Sequence, residues 1–409
     1  MSFNIALSGL NAASSDLNVT GNNIANSGTT GFKGSRAEFA DVFATSQLGV
    51  ASNAVGQGVR LDNVRQQFTQ GQFDFTGNTL DLAVDGNGFF RMSQDGAISY
   101  TRAGAFELDR EGWITNSTGQ RLTGYVANAD GELTGALGEL RVNTGDVAPQ
   151  PTGRMEISAN LDANAEEPAL AFDPDDPQTY NESTSTTVFD SLGRPHLATL
   201  FFRKGTDENA WDVYTDVNGD VHGPTAFAFN PDGSLATVGG DADPMEAFTF
   251  EAGTTPGLGG AEDLEVTIDF GGLTQFGTPF SVSELSQDGY TAGQFSTLNV
   301  GEDGMIFGRF TNGQSRVLGQ VAMARFSSPE NLTQLGDTSW AESFASGAPI
   351  VGAPGTSSLG GIRSGALEES NVDITQQLVK MITAQRNFQA NAKMISTQDQ
   401  VTQEIINIR

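Results

Sequence analysis

Apolar residues recur every seven positions at both ends of this chain. Each repeat forms one narrow stripe, which is typical of a coiled-coil seam and predicts a long amphipathic helix at each terminus. So thin a stripe does not keep an isolated helix ordered in water, so we expect these helices to need each other and neighbouring copies of the chain. The positions of this predicted self-assembly seam are Phe3, Leu7, Leu10, Leu17, Ile24, Ile374, Leu378, Met381, Phe388, Ile395 and Ile405.

The alternative is a helical hairpin that closes within one subunit. Such a two-helix pair would leave other apolar residues of the C-terminal helix uncovered, among them Val379, Ile382 and Ile406. The spacing therefore favours helices that are shared between copies.

Composition excludes several kinds of chemistry. The 409 residues include 50 glycines, 27 phenylalanines and 37% hydrophobic residues, as in a folded protein rich in turns. There is no cysteine, which excludes disulfides, thiolate metal sites and cysteine nucleophiles. His196 and His222 are the only histidines. We therefore predict a protein that is not an enzyme, with no catalytic residues, no cofactor and no metal site.

The charge is unevenly distributed along the chain. Its formal net charge is −29, from 21 basic and 50 acidic residues, yet both terminal segments are close to neutral. Acidic residues in the middle keep a free chain soluble, while weakly charged ends can pack against identical ends. The strong negative charge also argues against binding to nucleic acid.

The sequence does not predict insertion into a membrane. No stretch approaches the roughly 20 consecutive apolar residues of a membrane span. The N-terminal residues lack the basic start and continuous apolar block of a secretory signal. If the chain leaves the cell, we expect it to do so with its N-terminus intact.

Turn signals divide the chain into nested segments. Alternating apolar and polar residues between DG, QDG, REG and STG turns predict successive hairpins, which resume near the C-terminal end. The predicted fold is multidomain and mainly antiparallel β, with a long helix at each terminus. The predicted segments are an N-terminal axial helix (1–30), a connecting stretch (31–70), the first part of an inner β domain (71–145), an inserted outer β domain (146–284), the second part of the inner domain with a Gly/Pro connector (285–365) and a C-terminal axial helix (366–409).

Three long motifs resemble those of bacterial flagellar rod and hook axial proteins. They are LSGLNAASSDLNVTGNNIANSGTTGFKGSRAEF near the start, TLDLAVDGNGFF in the first β segment, and GALEESNVDITQQLVKMITAQRNFQANAKMISTQDQVTQEIINI at the end. They occur in the order expected of that family. The length of the chain, and a centre containing ISANLDANA and STTVFDSLGRPHLATLFF, are similar to its hook members rather than to the shorter rod members.

This resemblance implies a structural subunit of the flagellar hook, a curved flexible tube that transmits torque from rod to filament and encloses the export channel. The terminal helices would form an axial coiled-coil layer around that channel in a homopolymer of many copies. Expected partners are a rod protein, the hook cap, the hook–filament junction proteins and the flagellar export apparatus. The expected location is extracellular, after export without a cleaved signal peptide.

Two other functions stay open at this point. One is another flagellar axial component of the distal rod type. The other is an extracellular β-rich adhesin or carbohydrate-active protein, which requires a carboxylate pair or an aromatic platform in a cleft, whereas Trp113, Trp211 and Trp340 are widely scattered in the sequence.

One short motif faintly resembles a calcium loop. Asp216, Asn218 and Asp220 lie in DVNGD, but the glycine spacing and the closing glutamate of such a loop are missing. We expect a hairpin turn there instead.

Overall fold

The computed structural model describes residues 2–42, 56–128, 131–356 and 358–407. One helix lies at each end of the chain: α1 spans Ser2–Ala25 and α2 spans Ile374–Asn407. Most of the remaining described residues form antiparallel β-sheets, so the predicted fold class is confirmed. In the described part of the chain, neither helix is both long and apolar enough to cross a membrane.

The chain divides into two compact units. Unit 1 contains Met1–Thr144, Thr297–Arg309 and Ser315–Arg409, and unit 2 contains Gly145–Ser296 and Phe310–Gln314. The chain therefore leaves unit 1 after Thr144, builds most of unit 2, and returns; Phe310–Gln314 is a second, short excursion into unit 2. The assignment of these segments to inner and outer layers of an assembly stays a prediction.

Short strands make up most of unit 1. β5 (Phe89–Gln94) and β6 (Ala97–Thr101) form its central hairpin, and β9 (Arg121–Ala127) pairs with β5. β24 (Met323–Arg325) comes from the returning chain and also pairs with β5. The strands before the chain leaves are β1 Ser35–Asp41, β2 Val59–Gln66, β3 Phe73–Phe75, β4 Leu82–Asp85, β5 Phe89–Gln94, β6 Ala97–Thr101, β7 Phe106–Leu108, β8 Ile114–Asn116, β9 Arg121–Ala127 and β10 Leu133–Glu139.

Unit 2 contains two five-stranded sheets. One is the meander β12-β13-β14-β15-β16, and the other consists of β11 and β17 to β20, in which β11 runs parallel to β18 and β19. Its strands are β11 Arg154–Asp162, β12 Glu182–Phe189, β13 Pro195–Lys204, β14 Ala210–Val217, β15 Asp220–Phe229, β16 Leu235–Val238, β17 Met245–Phe250, β18 Leu264–Asp269, β19 Thr274–Phe276 and β20 Ser281–Gln287.

One apolar core joins the two sheets of unit 2. Phe202, Trp211 and Phe227 come from the meander, and Phe250 and Ile268 come from the other sheet. All are almost fully buried, and each large side chain of this kind contributes about 2 kcal/mol of transfer free energy. This core stabilises unit 2 by contacts within the unit itself.

The returning chain supplies more short strands and one 3₁₀ turn, Pro329–Asn331. In unit 1 they enclose an aromatic cluster of Phe89, Tyr100, Phe326 and Trp340. The strands are β21 Phe295–Val300, β22 Met305–Phe310, β23 Ser315–Val321, β24 Met323–Arg325, β25 Thr333–Gly336, β26 Ser339–Ala341, β27 Ile350–Gly352, β28 Gly361–Ser364 and β29 Ala366–Glu368.

The residue types at two tight turns explain the backbone conformation of those turns. Asp95 and Gly96 have φ of 50° and 86° and connect β5 to β6; Asn218 and Gly219 have φ of 54° and 92° and connect β14 to β15. Positive φ at both central residues is the conformation that two-residue hairpins require, and Asp-Gly and Asn-Gly adopt it readily. The DVNGD motif is therefore a hairpin turn, as predicted.

Segment boundaries differ from the predicted ones near both helices. α1 ends at Ala25 rather than 30, and the predicted connecting stretch 31–70 contains the antiparallel pair β1 and β2. α2 begins at Ile374 rather than 366, because residues Ala366–Glu368 form β29 and pair with β3. The chain that follows α1 and the chain that precedes α2 therefore form paired β-strands instead of connecting stretch or helix.

Asp373 defines the start of α2. Its Oδ1 accepts hydrogen bonds from the backbone N–H groups of Thr375 and Gln376, at 2.8 and 3.1 Å. This N-cap satisfies donors that the helix cannot pair internally.

Loss of this cap has a measurable cost. We expect Asp373→Ala to destabilise the chain by about 1 kcal/mol in a denaturant titration, and Asp373→Asn to cost much less because asparagine caps equally well. Equal losses for the two variants would show that the cap does not hold the helix start.

Candidate assembly surface

The two terminal helices pack against each other within one chain, and they run antiparallel. The Asn23 amide near the end of α1 donates to Gln377 Oε1 near the start of α2, at 3.3 Å. Gly9 faces Asn391 so closely that a Cβ added to Gly9 would lie 2.6 Å from Asn391 Oδ1. Glycine at this position therefore allows the two helices to approach closely.

Small and polar side chains occupy the buried positions of both helices. In α1, Ala6, Ala13 and Thr20 are buried at seven-residue intervals; of the α2 side chains that the structure describes, Gln377 and Ala384 are buried with the same spacing. Both helices do bury residues at seven-residue intervals. The fully buried residues, however, are neighbours of the large apolar residues and not those residues themselves. The hairpin alternative is thus partly right, since the helices do pair within the chain.

The predicted seam residues remain partly or largely accessible. Leu10, Leu17, Ile24, Met381, Phe388 and Ile395 are half-buried, while Phe3, Leu7, Ile374 and Leu378 are exposed. The side chain of Ile405 lies outside the described residues. The packing of α1 on α2 therefore leaves these side chains available for further contacts.

α2 exposes further large apolar residues along its length. Val379 and Ile406 are 61% and 66% exposed, and Ile382, Met394 and Val401 are also exposed. Large exposed apolar areas on a protein commonly mark sites where it binds a partner. We call the exposed and half-buried apolar residues of both helices the helix surface.

A buried ionic cluster lies where the helices join the β-structure of unit 1. Lys33 Nζ is 2.6 Å from Glu368 Oε1, and Arg102 Nη1 is 3.3 Å from Glu368 Oε2. The Lys33 and Glu368 side chains are 0% exposed, and Arg102 is almost fully buried. Two cations therefore share one carboxylate away from water.

Backbone groups add further hydrogen bonds to this cluster. Gly71 N–H donates to Glu368 Oε1, while Lys33 Nζ donates to the Thr69 carbonyl and Arg102 Nη2 to that of Gly86. Buried charges are tolerated only with such hydrogen bonds. The cluster joins the chain after α1, the β5–β6 hairpin region and the strand before α2.

Two asparagines extend this junction to the helices. Asn23 accepts from Ser35 N–H and donates to the Ser35 carbonyl, at 2.8 and 2.7 Å. Asn371 Oδ1 accepts from Gly34 N–H, and its amide donates to the Gln67 and Thr69 carbonyls. Each amide side chain thus replaces backbone pairing at a point where neither helix nor sheet can supply it.

Burial shifts the pKa values of several of the charged groups. Burial lowers the pKa of the Lys33 amine, and the Glu368 carboxylate opposes that change. Burial likewise lowers the pKa of Arg102 against the same carboxylate. In α1, burial raises the pKa of Asp16, which Lys380 of α2 partly counteracts. Removal of Glu368 would leave two buried cations without an anion.

Family models match the chain in four segments. Residues 3–33 match the family described as "Flagella basal body rod protein", and 363–408 match "Flagellar basal body rod FlgEFG protein C-terminal". Residues 83–160 match "Flagellar hook protein FlgE/F/G D1 domain", and 160–290 match "Flagellar basal body protein FlaE D2 domain". The N-terminal model contains α1 except for its first residue, together with Lys33, and the C-terminal model contains Glu368 and the whole of α2.

Full-length relatives decide between rod and hook members of this group. The chain is 36% identical to the flagellar hook protein FlgE of Escherichia coli (strain K12) and 37% identical to that of Salmonella typhimurium, over 100% of each chain. It is 32% identical to the FlgE of Borreliella burgdorferi over 98% of both chains. The chain belongs to the flagellar hook protein family.

Membership of the hook protein family makes this chain a structural subunit of the flagellar hook, and hence part of a polymer in the flagellum. The family is a structural one, which points away from catalysis. A solved structure of the Helicobacter pylori flagellar hook protein FlgE2 has the same fold over 73% of this chain and 100% of its own, at 14% identity and a TM-score of 0.53.

The tryptophans do not form the aromatic platform that a carbohydrate-binding protein would need. Trp211 and Trp340 are almost fully buried in the cores of units 2 and 1. Trp113 is half-buried, with Arg121 and Arg141 at 4.6 and 5.6 Å from its ring. Their roles are packing and cation–π contact.

Proposed function

We propose that the helix surface is the seam through which copies of this hook subunit polymerise. The observation that carries the proposal is that α1 and α2 pair through small and polar residues while most of their large apolar side chains stay accessible. Identical helices from neighbouring copies would cover these residues and line a central channel. The weak charge of both terminal segments allows such close packing, since like charges would repel.

The β-structure would then surround the helical layer. We infer that the β part of unit 1 forms the inner β layer of the tube, and that the inserted segment 146–284, which belongs to unit 2, lies outside it. A tube that bends while it rotates must shorten and lengthen each row of subunits, which requires contacts between domains that slide. Torque transmission between rod and filament by such a flexible joint is the proposed mechanical role.

The proposed partners are those of a hook assembled in the flagellum. Apart from its own copies, they are a rod protein, the hook cap, the hook–filament junction proteins and the export apparatus. We propose that the chain reaches the extracellular hook without a cleaved signal peptide. The absence of cysteine supports export of an unfolded chain, because no thiol can cross-link on the way.

Electron microscopy of the purified chain tests the seam. We expect the full-length chain to form tubes when concentrated, and a variant lacking 1–30 and 370–409 to remain a monomer. That variant keeps Lys33, Glu368 and the cores of both units, so it should melt cooperatively with a β-rich circular dichroism spectrum. Tubes formed by the truncated variant, or the absence of tubes from the full-length chain, would overturn the proposal.

A further inference from the structure

One phenylalanine of unit 1 is fully exposed. Phe344 lies in the turn after β26, and its relative exposure is 106%, so its ring gains nothing from the fold of its own chain. Burying a phenylalanine ring is favourable because it removes a large apolar surface from water. A folded chain that leaves this ring in water has it available for another molecule.

Hydrogen bonds hold the turn that carries this ring. Ser343 N–H donates to Ser346 Oγ at 2.9 Å, and Ser346 N–H donates to Ser343 Oγ at 3.1 Å. Ser346 Oγ in turn donates to the Ser343 carbonyl, at 2.8 Å, and Ser346 is completely buried. The two serines therefore close the turn around Phe344 from both sides.

The same turn is attached to the β-structure beneath it. Ser343 Oγ donates to the Asn331 carbonyl at 2.6 Å, and Ser328 N–H donates to the Ser346 carbonyl at 3.3 Å. A backbone that is already held in place loses little conformational entropy when a side chain that it carries binds a partner. Rigid aromatic side chains are the residue type most often found as anchors of protein interfaces.

Charge indicates which partner fits. Phe344 lies in the segment 343–362, which contains no charged residue although the chain carries a net charge of −29. Ile350, in the same segment on β27, is also exposed. Contact between two strongly acidic copies is least opposed where neither side adds charge. The surface thus suits a second copy of this chain.

We propose that Phe344 is an anchor of a contact between subunits in the hook, separate from the helix surface. This proposal rests on the polymerisation proposed above. A helical polymer uses heterologous contacts, in which a projecting residue of one copy enters a different surface of the next. Phe344, with Ile350 six residues further along the chain, is the projecting side of such a contact.

Thiol labelling of Phe344→Cys tests the location of the contact. Because the chain has no cysteine, the new thiol is the only one present. The variant is co-assembled as a minor component with an excess of the unchanged chain, and its reaction with a maleimide is compared with that of the same variant diluted to monomers. We expect labelling at least about 10-fold slower in the polymer; equal rates would overturn the proposal.

The critical concentration for assembly tests the anchor role. We expect Phe344→Ala to raise it by about 10-fold or more, as for an interface hot spot, with the melting temperature of the monomer unchanged. Ala345→Ser, in the same turn, is the matched control and should assemble normally. An unchanged critical concentration for Phe344→Ala would overturn the proposal, even if the thiol were protected.

The outcome also separates this proposal from the previous one. If the unchanged chain forms no tubes, the polymerisation seam is contradicted and Phe344 loses its partner. If tubes form and the thiol of the Phe344→Cys variant reacts as in the monomer, the contact at Phe344 alone is contradicted.

Discussion

Phe388→Asp is expected to stop the chain from forming tubes while leaving each copy folded. Phe388 is half-buried on α2 and belongs to the helix surface, so a neighbouring copy would enclose an unpaired carboxylate there. A buried charge without a partner costs at least about 3 kcal/mol, which raises the critical concentration roughly 100-fold. Sedimentation and electron microscopy across a concentration series measure this change.

Gln389→Asp is the matched control for that variant. Gln389 is the next residue of α2, is exposed and is polar, so the same charge is added outside the helix surface. We expect this control to assemble with a far smaller change in critical concentration. Tubes of normal length from Phe388→Asp, or equal losses for both variants, would contradict the seam.

Glu368→Gln is expected to cause a large loss of stability of unit 1. The substitution keeps the shape of the side chain but leaves Lys33 and Arg102 buried without their anion. Removing one partner of a buried ionic group costs about 3–5 kcal/mol. At roughly 2–4 °C per kcal/mol for a large domain, the melting temperature of unit 1 should fall by about 6–20 °C in calorimetry.

Glu369→Gln provides the control at the adjacent position. Glu369 is exposed, so the same loss of one negative charge should change the melting temperature by about 2 °C at most. Comparable effects of the two substitutions would mean that net charge, and not the buried cluster, sets the stability. The buried cluster would then not be what holds the C-terminal end of α1 and the N-terminal end of α2 in place.

The terminal helices show which structural features a local sequence pattern can predict and which it cannot. The seven-residue spacing predicts both helices and their need for partners, and both helices are present. Spacing does not show which face the chain buries by itself. The buried positions Ala6, Ala13 and Ala384 are small, so they carry little hydrophobic signal, and their role depends on the close approach that Gly9 permits opposite Asn391.

The ionic cluster was not predicted, although its residues lie in the motifs that resemble the axial family or close to them. In the sequence, Lys33 is only one of the few charges near the N-terminal helix, whereas in the structure it pairs with Glu368. Lys33, Arg102 and Glu368 are far apart in the chain and carry no shared local pattern. Their contact exists only because β29 pairs with β3 and brings Glu368 next to Gly71.

The sequence by itself determined the mainly β fold class, the helix at each end, the tight hairpin turns, and the lack of cysteine chemistry. These properties depend on the types and the spacing of residues that are close together in the chain, so they can be predicted from the local sequence. Tertiary structure alone decided which side chains the folded chain buries and which, such as Phe344, it leaves exposed. Burial depends on what lies opposite each residue, and in this nested chain the residues opposite are often hundreds of positions away.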